Sequence, residues 1–279
     1  MKLNQAISEY LNYHRTNSKG TTMRTYAPLF KLFEGYFNDR DVESIRPDEI
    51  QQFMESTTTK CCQNTKGMRL RMLKTYFNFC INILCIDLKN PCSTPLLKKT
   101  YQIKRLIPKS IISKEALDEI IYRTESERDR LLLEIQSRSG LRVGEALKLC
   151  PADIDGRKIT IRMPKSRKPF EYAFLPTPLA ERLNRYIKES QISPDKRIFN
   201  FCYMTALNIV RRAGNRSGAK LRPHDLRRHS ATYASRNGVP LEVVSKVILR
   251  HQNLQTTQIY LGTISNEEAL RWVDTLHNK

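Results

Sequence analysis

The sequence predicts a mainly α-helical protein with one small antiparallel β-sheet, arranged in two domains. The chain has 279 residues, of which 40% are hydrophobic, so it can form more than one ordinary core. Apolar residues recur with a helical period over most of the chain, whereas a two-residue alternation occurs only near residues 158–174. A basic, proline-containing segment separates two helical regions. We therefore assign residues 1–90 to a helical domain, 91–108 to a basic linker and 109–279 to a second domain.

Four helices are predicted in the first domain. Their apolar faces carry Leu3, Ile7, Tyr10 and Leu11, then Tyr26, Leu29, Phe30 and Phe33, then Ile50, Phe53 and Met54. Pro47 suits the first turn of the third helix, because a proline there gives up no helical hydrogen bond. The fourth helix is expected from Thr65 to about Leu84.

A basic cluster marks the beginning of this fourth helix. No acidic residue interrupts it, and its members are Lys60, Lys66, Arg69, Arg71 and Lys74. A solvated helix face is one interpretation, but the overall charge favours contact with a DNA backbone. The segment LKNPCSTPLLKKTYQIKRLIPKS then carries three prolines and six basic residues, as expected of a linker that crosses a polyanion.

Helical patterns return in the second domain. One helix is expected to begin near Ser113, and the next to end at Gly140. A two-residue alternation in the sequence KITIRM, and again in FEYAF, predicts two half-buried strands whose apolar residues face inward. Between them PKSRKP forms a basic hairpin tip, and helices resume at about Thr177.

The charge balance restricts the class of partner. The formal net charge is +20, which indicates a polyanion, with nucleic acid favoured over an anionic membrane surface. No apolar run of about 18 residues and no N-terminal signal pattern supports the membrane alternative. The seven cysteines are odd in number and lack zinc-site spacing, which favours reduced thiols, a cytoplasmic protein and no metal site. No phosphate-binding GxxxxGK[ST] loop occurs, so ATP is not expected.

Residues 224–232 read HDLRRHSAT, an unusually basic start for a predicted helix. His224 and Arg227 are three residues apart and therefore share one helix face. A guanidinium binds two phosphate oxygens at once, while an imidazole donates to a third oxygen or transfers a proton. By itself such a stretch is more often a solvated helix face, so its chemical interpretation depends on other segments of the sequence.

Two other segments carry matching residue types. SGLRVGEALKL places Arg142 beside a helix start, with Glu145 one turn later to orient it. ILRHQNLQTTQIYLG supplies His251 and, nine residues later, Tyr260. A lone tyrosine is usually a packing residue, so Tyr260 is a candidate for chemistry only in combination with the other positions.

Taken in chain order, Arg142, a hairpin lysine, His224, Arg227, His251 and Tyr260 resemble the tyrosine recombinase family, which includes phage integrases and Xer-like enzymes. SGLRVGEAL resembles the family's first box, HDLRRHSAT its second and LRHQNLQTTQIY its tyrosine box. The order and spacing match over roughly residues 107–265. The N-terminal helices and basic linker are similar to the family's core-binding domain, so the resemblance covers nearly the whole chain.

The resemblance implies a site-specific DNA recombinase or integrase. Tyr260 would attack a phosphodiester of double-stranded DNA, leaving a 3′-phosphotyrosyl link and a free 5′-hydroxyl. Arg142, Arg227 and His251 would stabilise the charged phosphate, and His224 would assist proton transfer. The covalent link conserves the energy of the broken bond, so no ATP, metal or other cofactor is needed. A tetramer would act through a Holliday junction; the sequence identifies no accessory protein.

The hairpin tip is expected to protonate the leaving 5′ oxygen. Lys165 is assigned this role, with Lys168 as the alternative, while Arg167 is expected to contact phosphate. The other interpretation is that these three residues only contact the DNA backbone. Arg228 is interpreted as either a phosphate contact or a surface charge.

The chain departs from the family pattern at Arg250, where Leu-Gly-His is usual. Arginine accepts a left-handed backbone only with strain, so the sequence does not determine the conformation of the turn before His251. The C-terminal segment after Tyr260 predicts a tail helix that docks either on a neighbouring subunit or on its own domain. Two alternatives to recombination remain at this level: strand cleavage without partner exchange, as in type IB topoisomerases, and a catalytically silent DNA-binding relative.

Overall fold

The computed structural model describes residues 1–17, 20–103, 111–162, 164, 168–261, 270, 273 and 274. It consists of two compact units, Met1–Leu106 and Ile107–Lys279. Helices dominate both units, and one three-stranded antiparallel sheet lies in the second. The predicted fold class is confirmed.

All of the regular secondary structure that is described in the first unit is helical. Its helices are α1 (Leu3–Asn17), α2 (Gly20–Phe37), α3 (Pro47–Thr58), α4 (Gln63–Asn82) and α5 (Pro95–Thr100). Aromatic side chains on the predicted apolar faces meet in its core, where Phe33 and Phe53 pack edge to face at 5.1 Å between ring centroids. The four helices expected from sequence are confirmed within one or two residues at α3 and α4.

The predicted basic linker, 91–108, is corrected at its beginning. Cys92, Leu97 and Tyr101 are buried in the core of the first unit. Pro91 and Pro95 each occupy the first position of a helical turn, so these prolines start structure where the sequence pattern suggested a break. Residues 104–108, the later part of the predicted linker, lie outside the described residues.

The second unit combines its small sheet with helices. These are α6 (Lys114–Tyr122), α7 (Glu127–Ser139), α8 (Val143–Ala146), α9 (Thr177–Glu189), α10 (Tyr203–Arg216), α11 (Pro223–Arg236), α12 (Leu241–Val243) and α13 (Leu254–Leu261). A π-helical turn, Val244–Ile248, follows α12 directly. As predicted, Ser113 caps α6 by accepting from the amide of Ala116, and Gly140 ends α7 in a left-handed conformation.

The sheet has the order β1 (Ile154–Asp155), β2 (Lys158–Arg162) and β3 (Phe170–Phe174). The predicted alternation is present, but on β3 its direction is reversed. Phe170, Tyr172 and Phe174 are exposed, with 37–50% of their surface accessible, whereas Glu171 is buried. In the antiparallel register Tyr172 lies opposite Thr160, on the same outward face.

Buried packing in the second unit brings the three motif-bearing regions together. Helix α7 packs against α9 and α11, and α11 also packs against the π-helical turn and α13. The carboxyl end of α7, the beginning of α11 and the segment before α13 therefore meet. Within the part of the chain that the structure describes, no helix combines the length and apolarity that a membrane crossing requires.

Candidate active site

A cavity of about 590 Å³ lies between α8, α10, α11 and the segment that precedes α13. Its lining consists of Arg142, Val143, Tyr203, Pro223, His224, Arg227, Arg250, His251, Gln252, Asn253 and Thr256. Four of the sequence-predicted chemical residues, Arg142, His224, Arg227 and His251, are thus brought together in one place. We call this space the central cavity.

Arg227 is the most deeply placed cation of the cavity, with 1% of its surface exposed. Its guanidinium donates hydrogen bonds to the carbonyl oxygens of Gly140 and Leu249. One of its nitrogens, Nη2, also lies 3.5 Å from Nε2 of His251. Since these acceptors come from two distant loops, the guanidinium is fixed before any ligand arrives.

Arg142 sits at the start of α8 and is held by Glu145. Its Nη1 donates to Oε1 of Glu145 at 2.6 Å, and its backbone amide donates to Oε2 at 2.9 Å. Burial tends to raise the pKa of Glu145, but the charges of Arg250 and Arg142 hold this pKa below its usual range. Glu145 is therefore an ionised support, as the sequence suggested.

Arg250 adopts the left-handed conformation that glycine would take more easily, with φ of 51°. Only 6% of its surface is exposed. Its guanidinium donates to the carbonyl oxygen of Ile248 at 2.9 Å, to Oε2 of Glu145 at 3.0 Å and to the carbonyl oxygen of Gly140 at 3.2 Å. The turn before His251 is thus retained, and the arginine side chain is directed inward.

His251 is buried and held by a chain of hydroxyl groups. Its Nδ1 lies 3.0 Å from Oγ1 of Thr257, which donates its own hydrogen to Oγ of Ser245 at 2.9 Å. Nδ1 therefore carries the hydrogen in the neutral ring, and Nε2 is the acceptor that faces Arg227. Burial, followed by the charges of Arg227, Arg142 and Arg250, lowers the pKa of His251 to about 4.

His224 lies at the exposed mouth of the cavity. Partial desolvation, followed by the charges of Arg227 and Arg228, lowers its pKa from the usual histidine value. The imidazole is consequently neutral at pH 7 and has a ring nitrogen able to accept a proton. This protonation state suits the proton-transfer role expected from the sequence.

The remaining basic residues of HDLRRHSAT point elsewhere. Arg228 lines a separate cavity and lies 3.7 Å from a carboxylate oxygen of Asp225. His229 is buried, its Nδ1 lies 3.0 Å from the carbonyl oxygen of Ile112, and its ring stacks on Tyr233. The second half of this motif therefore stabilises α11 and its neighbours.

Tyr260 lies in the last turn of α13, whose next residue, Leu261, packs against the core beside the π-helical turn. The side chain of Tyr260 is outside the described residues, as are Lys165, Arg167 and most of the predicted tail helix. Lys168 is exposed and lines a second cavity of about 530 Å³, which shares Arg250 and His251 with the central cavity.

The predicted DNA contacts of the first unit differ in exposure. Lys60 and Arg71 are exposed, whereas Lys66, Arg69 and Lys74 are partly buried. Arg69 also donates to the carbonyl oxygen of Thr57 at 2.8 Å. Arg69 thus has a structural partner that the charge pattern did not reveal.

Sequence reasoning missed three supports of the cavity. The hydroxyls of Thr257 and Ser245 orient His251, and Glu171 lies 3.7 Å from Arg250. The first two carry no sequence signal, because threonine and serine are common in any helix. Glu171 carried no signal either, because a polar residue between Phe170 and Tyr172 is what the alternation of β3 predicts. Among the described residues, no cluster of three or more histidine, cysteine or acidic side chains could hold a metal ion.

The chain is similar to known proteins over most of its length. The model of the phage integrase family matches residues 111–266. The chain is 28% identical to a tyrosine recombinase of Pseudothermotoga lettingae, over 95% of this chain and 94% of that protein. It is 29% identical to the tyrosine recombinase XerA of Pyrococcus furiosus, over 98% and 96% of the two chains.

Solved structures show the same fold. A Tn1549 transposon integrase in complex with circular intermediate DNA superimposes with a TM-score of 0.77 at 18% identity, over 99% of both chains. A lambda integrase tetramer bound to a Holliday junction gives a TM-score of 0.72 at 17% identity, over 93% of this chain and 77% of that one.

Proposed function

The chain belongs to the phage integrase family, and we propose that its central cavity breaks a DNA strand by joining a phosphate to Tyr260 and later rejoins it to a new partner. It is a tyrosine recombinase, an enzyme that breaks and rejoins DNA in a site-specific manner. The observation that carries the proposal is the convergence of Arg142, His224, Arg227 and His251 on one cavity.

In the proposed cleavage step, the hydroxyl oxygen of Tyr260 attacks the phosphorus atom and the bond to the 5′ oxygen breaks. The products are a 3′-phosphotyrosine and a free 5′-hydroxyl. The fixed guanidinium groups of Arg142 and Arg227 stabilise the negative charge that gathers on the non-bridging oxygens. His224 accepts the phenolic proton, since its lowered pKa keeps the ring neutral.

The 5′ oxygen gains a proton as it leaves. Lys165 remains our proposed donor, and Lys168 is the alternative because it lines the adjoining cavity.

His251 is proposed to stabilise the phosphate together with the two arginines. A phosphate anion in the cavity favours protonation of its Nε2, which then becomes a donor. The reverse sequence of proton transfers rejoins the strand.

Partner exchange is favoured over simple strand relaxation. The curated relatives are named recombinases, and one structural neighbour is a tetramer on a Holliday junction. We therefore propose that this chain also assembles as a tetramer on two duplexes. Type IB topoisomerase activity and a silent DNA-binding protein are the less favoured alternatives.

A nicked suicide duplex tests the nucleophile. Cleavage near the nick releases a short fragment, so the covalent complex accumulates and is seen as an SDS-resistant band. We expect this band with the wild-type protein, in EDTA, and none with Tyr260→Phe, although that variant should bind DNA within about threefold of wild type. An adduct that persists in the variant would refute the assignment of Tyr260. Absence of the wild-type adduct on its own recombination site would refute the enzymatic proposal.

A further inference from the structure

We propose that Arg250 is a positioning residue that holds the guanidinium of Arg142 in the central cavity by sharing the carboxylate of Glu145 with it. The inference rests on the proposed function, since it assigns Arg142 to the phosphate. It assigns a role to a side chain that departs from the usual sequence pattern.

Both oxygens of the Glu145 carboxylate accept hydrogen bonds from charged side chains. Its Oε1 accepts from Nη1 of Arg142 at 2.6 Å, while its Oε2 accepts from Nη2 of Arg250 at 3.0 Å and from the amide of Arg142 at 2.9 Å. Because each oxygen has a charged donor, rotation of the carboxylate would break one of these bonds. Removal of Arg250 would leave Oε2 with only a backbone donor.

Arginine is an unfavourable residue at this position. A left-handed backbone, here with φ of 51°, is strained for any residue other than glycine. In addition, the guanidinium is almost fully buried, where desolvation lowers its pKa. Such a residue is retained only when its surroundings hold it firmly, and here the carbonyl oxygens of Gly140 and Ile248 do so.

A second carboxylate, that of Glu171, also lies beside Arg250. This buried residue of β3 places Oε2 3.7 Å from Nε of Arg250. The arginine is therefore paired with two carboxylates, that of the buried Glu171 and that of the partly buried Glu145. The ion pair also accounts for the inward direction of Glu171, which places the aromatic residues of β3 outward.

These contacts form a continuous path from β3 to the cavity. Glu171 holds Arg250, Arg250 holds Glu145, and Glu145 holds Arg142. Loss of the middle member should leave Arg142 more mobile without removing it. A misplaced catalytic group can cost about 100-fold in rate, so we expect Arg250→Gly to slow adduct formation by about 10- to 100-fold. DNA affinity should stay within about twofold, because the other cations remain.

Single-turnover cleavage of the nicked duplex tests this expectation in the full-length protein. In Arg250→Gly the carboxylate of Glu171 would be buried without its arginine partner. A double variant, Arg250→Gly with Glu171→Gln, removes that unpaired charge, and it should cleave as slowly as Arg250→Gly alone. Arg182→Ala is the control, because it also removes the partner of a buried carboxylate, Glu134, away from the cavity. Its rate per folded molecule should equal that of wild type.

A double-mutant cycle with Glu145→Gln identifies the route. If Arg250 acts through Glu145, adding Arg250→Gly to Glu145→Gln should slow cleavage by less than about twofold further. Independent, multiplying defects would contradict the shared-carboxylate route. A purely structural role would lower the denaturation midpoint and leave the rate per folded, DNA-bound molecule within about threefold of wild type, which would also overturn the proposal.

A readout without chemistry separates this inference from the proposed function. NMR relaxation of the Arg142 Nε–H group in the DNA-free protein should report a lower order parameter in Arg250→Gly than in wild type or Arg182→Ala. An unchanged order parameter would overturn the positioning role, even if the wild-type protein forms no adduct. Failure of the wild-type adduct alone would count only against the proposed function.

Discussion

At the scale of single residues, the central cavity is built from charges that are fixed by the protein itself. Arg227 is held by two backbone carbonyls and Arg142 by a carboxylate, so neither needs to reorganise when charge develops on a substrate. His251 is surrounded by these cations, and its tautomer is set by Thr257. A neutral histidine among arginines is the direct consequence, and its lowered pKa predicts a pH-dependent contribution to stability.

Acid should destabilise the protein through His251. The pKa of this residue is about 4 in the folded state, against 6.5 for an unperturbed histidine. In that pH window the unfolded chain takes up a proton that the folded chain does not. The free energy of unfolding should therefore fall as the pH decreases from 6.5 toward 4.

Urea denaturation of wild type and His251→Gln, at about pH 7.5 and about pH 5, measures this contribution. The wild type should be the more stable protein at the higher pH, and the difference should narrow at the lower pH. His224 and His229, whose pKa values are lowered in the same direction, are present in both proteins and cancel. A difference that does not vary with pH would contradict the prediction.

At the scale of elements, the end of α7 determines how closely the motif segments approach. Gly140 ends this helix with φ of 65°, and its carbonyl accepts from both Arg227 and Arg250. A Cβ added at this position would lie 2.8 Å from the carbonyl oxygen of Ile248. The glycine is therefore required twice, once for its backbone conformation and once for the close approach of the turn before His251.

Gly140→Ala should lower the free energy of unfolding by about 2–4 kcal/mol, the sum of backbone strain and steric overlap. Gly156→Ala is the matched control. Its φ of 56° is similar, but no heavy atom lies within 4 Å of the added Cβ. The control should lose only about 1–2 kcal/mol. Equal losses in chemical denaturation would show that the contact with Ile248 carries no weight.

At the scale of the whole molecule, a net charge of +20 dominates the encounter with DNA. Both exposed and partly buried basic residues lie at the beginning of α4, while the cavity of the second unit contributes its own cations. Release of counterions from DNA should make binding strongly dependent on salt concentration.

We call the basic residues between Lys60 and Lys74 the α4 cluster. Neutralising part of this cluster should reduce the salt dependence of DNA binding. Each lost phosphate contact lowers the slope of log K against log[salt] by about 0.9, so Lys60→Gln, Lys66→Gln and Arg71→Gln together should lower it by up to about 3. Fluorescence anisotropy with a labelled duplex measures the slope. The control combines Arg185→Gln and Lys188→Gln, two exposed positions on α9 that do not line the central cavity. Equal slopes for the two variants would rule out DNA contact by the α4 cluster.

The sequence by itself determined the helical class, the period of each strand and the identity of the motif residues. It could do so because helix capping and periodicity are local properties: Ser113 caps α6 through the amide of Ala116, and Gly140 ends α7 through its own backbone conformation. The prolines of the predicted linker do not mark a break, since a proline can begin a helical turn as well as end a helix.

Only the tertiary structure decided which face of β3 is buried and what Arg250 does. Alternation defines a period but not a direction, and the inward position of Glu171 depends on a partner 79 residues later in the chain. The hydroxyl chain of Thr257 and Ser245 is likewise visible only after folding. Contacts between distant segments depend on how the helices and the sheet pack together, and no local pattern encodes that packing.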